Sequence, residues 1–445
     1  MSSPSPKKDI VVVGGSLAGL FTGIPLLRQG HNVTILERSP TPLLHDQGAG
    51  IVTGTSTAEF FRRFDRSGRG TEGLKGGLSV RSQERLYLDQ KGNVIDGEGW
   101  EQRMTSWDLL YYLSRFNFDG RRTAYVPEGA EGSQEGEGRG VYEYGRSATV
   151  LQDLGEKVKV EFDDVREGSA GGSGSLEADF VIIADGPSSH LRKQLVPEAK
   201  VRTYAGYVAF RGTVPEQELS QAATDVFVER FTFYHGSSTQ ILAYTIPGPE
   251  SSLESGKRLV NWVWYWNLAD GSEELRNVMT DTDGNTHRWT LPTGGKMQPR
   301  VWEKQKDTAT AALPPQFAEL VHKTKKPFVQ AIADLPPSPQ PRLLGGKALL
   351  VGDSLAAFRP HTAGSTGQAA LHALLLDQAF KGEVSWDFYE QNVMNHAISW
   401  QQRGVVLGNR SQFGSHPFAE ASTEDARRVD RKDLWMRQSG QGSRE

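Results

Sequence analysis

Gly14-Gly15-Ser16-Leu17-Ala18-Gly19 is a turn of small residues set between a short apolar run and a stretch with helical spacing. A turn of this kind can hold a pyrophosphate. The first glycine permits a tight reversal and the last lets a helix lie close to its strand. The N–H groups of Ser16, Leu17 and Ala18 then stand at the positive end of a helix dipole. Ser16 takes the place of the usual middle glycine; it is small enough for close approach, and its hydroxyl can add a bond to phosphate. Glu37 closes the following apolar run, where a carboxylate can accept from the hydroxyls of an unphosphorylated ribose and repel a 2′-phosphate. A plain strand–turn–helix could use the same residues, and the loop alone does not separate FAD from NAD.

Two acidic turns stand far downstream. Asp185-Gly186 ends the apolar run 181–184 and leads into Pro187-Ser188-Ser189-His190-Leu191-Arg192. Gly352-Asp353 ends the apolar run 343–351 and leads towards Arg359-Pro360-His361-Thr362-Ala363-Gly364. An acid at the C-terminal end of a parallel strand points into the crevice where ligands bind. Asp353 is therefore suited to accept from ribityl hydroxyls. The backbone from Pro360 through Gly364 to Thr366 can offer N–H groups to a flavin ring. Either turn alone is ordinary turn chemistry; their order behind a dinucleotide loop reads as three pieces of one FAD cradle.

The elements that must position these residues are visible in the apolar patterning. Residues 10–13 suit a strand buried on both faces. Residues 17–29 carry helical spacing up to Gly30, with Pro25 as a point of weakness, and 32–36 form a second buried strand. This is a β–α–β unit of about 30 residues. From 204 to 267 the pattern is β-rich, with strands expected at 207–210, 231–234, 241–246 and 259–266. Residues 343–351 read as one more buried strand, and 366–380 and 385–403 as helices. Segments 128–140 and 167–175 are Gly-rich surface insertions, and the tail after Ser422 is charged and expected to fray. The expected division is a cofactor-binding domain over 1–200 and 341–385, a β-rich substrate domain over 201–340, and a helical C-terminal part over 386–445.

Composition removes several classes of function. Among 445 residues, 50 basic and 54 acidic side chains give a net charge of −4, which provides no field for nucleic acid or an anionic membrane. The absence of cysteine excludes disulfides, thiolate metal sites and cysteine catalysis, and no metal site is expected. The first apolar run is too short for a signal peptide or a membrane span, so a cytoplasmic protein without stable membrane association is expected.

With the three motifs in this order, the chain resembles the single-component (group A) FAD-dependent aromatic monooxygenases over about residues 9–410. It is most similar to their 2,6-dihydroxypyridine 3-monooxygenase branch. Tyr207-Val208-Ala209-Phe210-Arg211-Gly212-Thr213-Val214-Pro215, Asn261-Trp262-Val263-Trp264-Tyr265 and the 359–364 segment carry the narrower match. The chain departs from the group at Ser354-Leu355-Ala356, where many relatives have a histidine, and at Gln368, near the place of a common asparagine. Arg103 and Ser106 fit the start of the helix after the first hairpin equally well.

The resemblance implies an α/β fold of the p-hydroxybenzoate hydroxylase type, in which a Rossmann-like, three-layer FAD-binding domain with a parallel sheet carries an inserted β-rich substrate domain. It implies FAD as cofactor, with NAD(P)H and O2 as co-substrates. Oxygen adds to the reduced flavin to give a C4a-hydroperoxide, which hydroxylates an electron-rich aromatic or N-heteroaromatic ring. The lack of a second dinucleotide loop agrees with a nicotinamide cofactor that binds transiently. The cofactor-binding set is Gly14, Ser16, Leu17, Ala18, Gly19, Glu37, Arg38, Gly50, Arg103, Asp185, Asp353, Pro360, Gly364 and Thr366. Phe210, Arg211, Tyr244, Trp264 and Arg359 are the substrate candidates, the two arginines as anion partners. His361 as a base near neutral pH, Tyr207 and Arg192 are the catalytic candidates. Competing readings are a backbone-bonded His361, an Arg192 in a structural ion pair, and a Trp262–Trp264 pair in the sheet core. The expected partners are a small aromatic or heteroaromatic substrate, O2 and a second copy in a homodimer.

Four other functions compete. A flavin-dependent halogenase shares Trp262-Val263-Trp264, but Tyr265-Trp266 follow where that family has Ile-Pro. An FAD oxidase or dehydrogenase would use the fold without oxygen transfer, and a flavin-binding module would use it without catalysis. A biosynthetic epoxidase or dearomatising monooxygenase would take a larger indole or polyketide.

Overall fold

The computed structural model describes residues 6–44, 50–70, 77–132, 134–166, 168 and 171–414. The tail from Ser422 and parts of the two insertions lie outside the described residues. The apolar runs form a six-stranded sheet in the order Arg342–Leu343, Ala348–Leu350, Phe180–Ile183, Asp9–Val13, Asn32–Glu37, Gly140–Tyr144. All neighbours are parallel except the first pair. Val12, Ile35, Ile182 and Leu349 have no exposed surface, as expected for strands covered on both faces. Helices Leu17–Arg28, Trp107–Asp119 and Ser365–Phe380 pack together as one covering layer. An antiparallel sheet of Arg146–Asp153, Val158–Asp164 and Ser173–Ala178 lies against strands Asp9–Val13 and Asn32–Glu37 as another. The result is the expected three-layer arrangement.

Pro25 does not end the first helix. It sits near the C-terminus, and Gln29 still donates its N–H to the Pro25 carbonyl at 3.1 Å. Residues 343–351 are not one strand. Gly345 and Gly346 adopt φ of +63° and +93°, so the chain reverses there and Arg342–Leu343 folds back antiparallel on Ala348–Leu350.

The second sheet has seven strands in the order Phe328–Asp334, Thr203–Pro215, Leu259–Asn267, Thr239–Ile246, Arg230–Gly236, Glu84–Leu88, Val94–Glu98. Its last two strands come from within 1–200, so a boundary at 200 does not hold for them. Glu84–Leu88 pairs in parallel with Arg230–Gly236 and buries Leu86, Tyr87 and Leu88; the pairing partner lies far away in sequence, which is why local patterning does not reveal it. One face of this sheet buries Val208, Phe210, Trp262 and Trp264 in a cluster shared with helices Pro299–Ala312 and Pro315–Lys323. The opposite face gathers Tyr207, Ala209, Tyr244, Val263 and Tyr265.

The C-terminal helix runs over Trp386–Phe413, beyond the expected end at 403. Gly404 and Gly408 let it approach the 359–364 segment; a Cβ on Gly408 would collide with the Tyr207 hydroxyl. Among the described residues no helix is long and apolar enough to cross a membrane.

Candidate active site

The phosphate loop has the geometry its residues require. Gly14 adopts φ +102°, and a Cβ there would strike the Ala184 carbonyl. Ser16 N-caps the helix without spending its side chain on a capping bond, so the hydroxyl stays available to a phosphate. Glu37 braces the loop: its Oε2 accepts from Gly15 N–H and its Oε1 from Ser39 N–H, both at 2.8 Å. Ribose hydroxyls would use the remaining lone pairs.

A cavity of about 1510 Å³ is lined from one side by Asp185 and Asp353, at the ends of parallel strands, and from the other by the inner face of the seven-stranded sheet. Gly352 donates its N–H to Nδ1 of the buried His372 at 3.0 Å, which fixes the turn before Asp353. Burial pushes the Asp353 carboxyl up to about 6, against the opposing effects of Arg202 and a bond from Ser365. Burial likewise raises Asp185, whose Oδ2 accepts from the Ser189 hydroxyl at 2.8 Å. Oδ1 of each aspartate is buried without a hydrogen-bond partner. Unpaired buried acceptors beside a cavity are costly alone and fit the hydroxylated chain of FAD.

Pro360–Thr362 forms a tight turn, Ala363 takes φ +51°, and Gly364 caps the helix Ser365–Phe380. Pro360, Gly364 and Thr366 all line the cavity, as do Arg38, Gly50 and Arg103. Arg103 lies in strand Gln102–Ser106 and pairs with Glu101 at 3.0 Å. Ser106 is the residue that opens the next helix, accepting from Leu109 N–H at 3.2 Å. Gly50 donates to the Asn261 side chain at 2.9 Å, tying this edge to the second sheet.

Several substrate and catalytic expectations need correction. Phe210 and Trp264 face the helical layer and are absent from the cavity wall. Phe210 is adjacent to Arg211 on one strand, so the two side chains point to opposite faces. Trp262 and Trp264 are sheet core, with their indole N–H groups bonded to Thr324 and Thr239 at 2.9 Å. Arg192 is buried outside the cavity wall. It donates to the carbonyls of Pro336 at 2.8 Å and Ser354 at 3.4 Å, so it braces the Asp353 turn from behind, and among the described residues no carboxylate pairs with it.

Arg359 is not available as an anion partner. It is 4% exposed and forms a bidentate pair with Asp334 at 2.7 and 2.6 Å. It also donates to Asn409 at 2.8 Å and to the Tyr207 hydroxyl at 3.4 Å. The Tyr207 hydroxyl lies 3.0 Å from His361 Nε2, and His361 Nδ1 lies 3.1 Å from the Gln240 amide oxygen. That oxygen can only accept, so Nδ1 carries the proton and Nε2 accepts from Tyr207. Burial, then Arg359 and Arg211, hold His361 down to about 3. A neutral histidine with both nitrogens engaged is not a base poised near neutral pH, and its partners are side chains rather than backbone. Tyr207 itself is fully buried and outside the cavity wall.

Arg211 and Tyr244 do line the cavity. So do Tyr265, which stacks on His361 at 4.0 Å, and Arg202, which lies 4.1 Å from the Trp289 ring. The candidate set omits these last two. Alternation along Leu259–Asn267 would have pointed to Tyr265 once Trp264 was assigned to the core; Arg202 lies just before its strand and carries no local signal.

A family described as FAD binding domain-like matches residues 204–334. The 2,6-dihydroxypyridine 3-monooxygenase of Paenarthrobacter nicotinovorans is 30% identical over 410 residues, which cover 91% of this chain and 89% of the relative. The 6-hydroxynicotinate 3-monooxygenase of Pseudomonas fluorescens is 24% identical over 418 residues, 90% of each chain. The solved 2,6-dihydroxypyridine-3-hydroxylase from Arthrobacter nicotinovorans matches with a TM-score of 0.75 at 27% identity, covering 93% of this chain and 94% of that one. The similarity spans both sheets and the cavity between them. The chain belongs to the FAD-dependent aromatic monooxygenases, flavoprotein oxidoreductases of the p-hydroxybenzoate hydroxylase fold that use NAD(P)H and O2.

Proposed function

We propose that the chain hydroxylates a small, electron-rich ring of the hydroxypyridine or phenol class, held against the inner face of the seven-stranded sheet. The observation that carries this reading is the division of the cavity. One end has acidic strand ends and a helix N-terminus suited to FAD, and the other has an aromatic wall with a cation. At about 1510 Å³ the space exceeds the roughly 300–1,000 Å³ typical of one small-molecule site, which supports two adjacent ligands.

When bound, FAD supplies hydride acceptance from NAD(P)H and the activation of O2. The chain's part is to bind, orient and exclude water. The Gly14 loop takes the pyrophosphate, Asp185 and Asp353 take hydroxyls, and the Pro360–Thr366 backbone meets the ring. Tyr244 and Tyr265 orient the substrate ring, while the Arg359–Tyr207–His361–Gln240 chain holds the wall between the two ligands rigid.

The test is anaerobic reduction of the purified yellow protein by NAD(P)H with hydroxypyridines, phenols and indoles. A hydroxypyridine or phenol should accelerate flavin reduction and suppress peroxide release in air. Acceleration by indoles alone would refute the substrate class.

A further inference from the structure

We infer that the seam between helices Ser365–Phe380 and Trp386–Phe413 is the path by which O2 reaches the flavin once FAD and the ring fill the cavity. This rests on the placement of the flavin ring at Pro360–Thr366 in the reading above. Outside the cavity, a groove of about 520 Å³ runs between the two helices. Along the first helix Gly367, Leu371 and Leu375 are spaced by four residues, so they share one face. Gly367 lines the cavity, Leu375 lines the groove, and Leu371 lines both. Along the second helix Asn392, His396 and Trp400 repeat that spacing. Asn392 lines the groove, and His396 and Trp400 line both. The wall between groove and cavity is therefore one residue thick.

The inner end of the seam meets the flavin's place. A Cβ on Gly364 would come within 2.5 Å of the Trp400 ring, so the indole lies against the backbone that takes the flavin. Phe358, also on the cavity wall, stacks on Trp400 at 6.4 Å, and His396 stacks on it at 5.4 Å. A Cβ on Gly367 would meet no atom within 4 Å, which leaves the helix face open just inside the wall. The outer end reaches the surface beside Phe388, which is 45% exposed. Leu371, Leu375, Phe388 and Trp400 make the passage largely apolar. Burial holds His396 down to about 4, so its ring is neutral at neutral pH. Such a path passes a small apolar molecule more readily than water. Turning one side chain of the wall opens a gap wide enough for a diatomic molecule and too narrow for an aromatic ring. The seam thus admits O2 while the chain keeps water from the reacting centre.

The test has a structural and a kinetic arm. Xenon settles in apolar cavities; in crystals of the FAD-loaded protein pressurised with xenon, it should lie between Leu371 and Leu375. Stopped-flow mixing of the reduced protein, with its best ring compound bound, against O2 gives the second-order rate constant for flavin reoxidation. Leu371→Phe and Ser399→Trp, which narrow the inner and outer ends, should each lower that constant about 10-fold. Ser399 is exposed on the groove rim, so its substitution costs little packing. Anaerobic reduction by NAD(P)H and the Kd of the ring compound should stay at parent values. Without the ring compound the mouth is open, and both variants should react with O2 as the parent does. Absence of xenon from the seam, unchanged O2 constants in both variants, or an equal loss in anaerobic reduction would overturn the inference. A protein that cannot hold reducible FAD would instead defeat the monooxygenase reading; normal reduction with O2 rates indifferent to both substitutions defeats this inference alone.

Discussion

Replacing Asp353 with asparagine should move cofactor affinity and apoprotein stability in opposite directions. Burial lifts its carboxyl from 3.8 to about 6, so the ionised form is disfavoured in the folded apoprotein. The unfolded chain gives up this proton first. The residue therefore lowers stability progressively as pH rises from about 4 through about 6, with the full penalty present above about 7. Two pKa units correspond to about 3 kcal/mol; partial contact of Asp353 with the cavity reduces this to about 1–3 kcal/mol. Asn removes the charge and keeps an acceptor. The apo variant should thus be more stable than the parent at pH 8 by about 1–3 kcal/mol and nearly equal to it at pH 4, a gap resolved by denaturant titration at the two pH values. Its Kd for FAD should rise about 5- to 10-fold, because a charge-assisted bond to a ribityl hydroxyl becomes a neutral one. An apo variant no more stable at pH 8, together with unchanged FAD affinity, would refute the role assigned to Asp353.

Other perturbations follow from the same geometry. Gly14→Ala forces a side chain into a left-handed turn against the Ala184 carbonyl, and should abolish FAD retention while lowering stability by about 2 kcal/mol or more; a variant purified yellow would contradict this. Because His361 is held near 3, it is neutral throughout the working range. His361→Asn should lower kcat without moving any ionisation in the kcat/KM profile between about pH 5 and 8, and a lost or shifted limb would restore it as a base. Arg359→Met leaves Asp334 without its partner and should lower stability by about 3 kcal/mol; a change within about 0.5 kcal/mol in denaturant unfolding would show the pair to be dispensable.

The parts of the site legible in the sequence are those set by local chemistry. The Gly14 loop, Asp185-Gly186 and Gly352-Asp353 each combine a buried strand with a turn whose residue types meet a backbone requirement. Their neighbourhood could be read without knowing the rest of the fold. What was not legible depends on pairing across long stretches of chain. The hairpin Glu84–Glu98 joins the second sheet only through strand Arg230–Gly236. Arg359 looks free until Asp334 is placed beside it by strand Phe328–Asp334. His361 is a candidate base by type, and loses that role through Tyr207, Gln240 and burial. The assignment of Phe210 and Trp264 to the pocket failed for a simpler reason. Their strand alternation places them opposite Arg211 and Tyr265, and the pattern was available in the sequence.

Turnover in 18O2 tests the central claim most directly, using the ring compound that best accelerates flavin reduction. The account predicts one 18O atom in the hydroxylated product for each NAD(P)H consumed, with little peroxide. Oxidation of NAD(P)H matched by peroxide, with no 18O in any ring product even under saturating substrate, would mean that this fold works here as an oxidase and not as a monooxygenase.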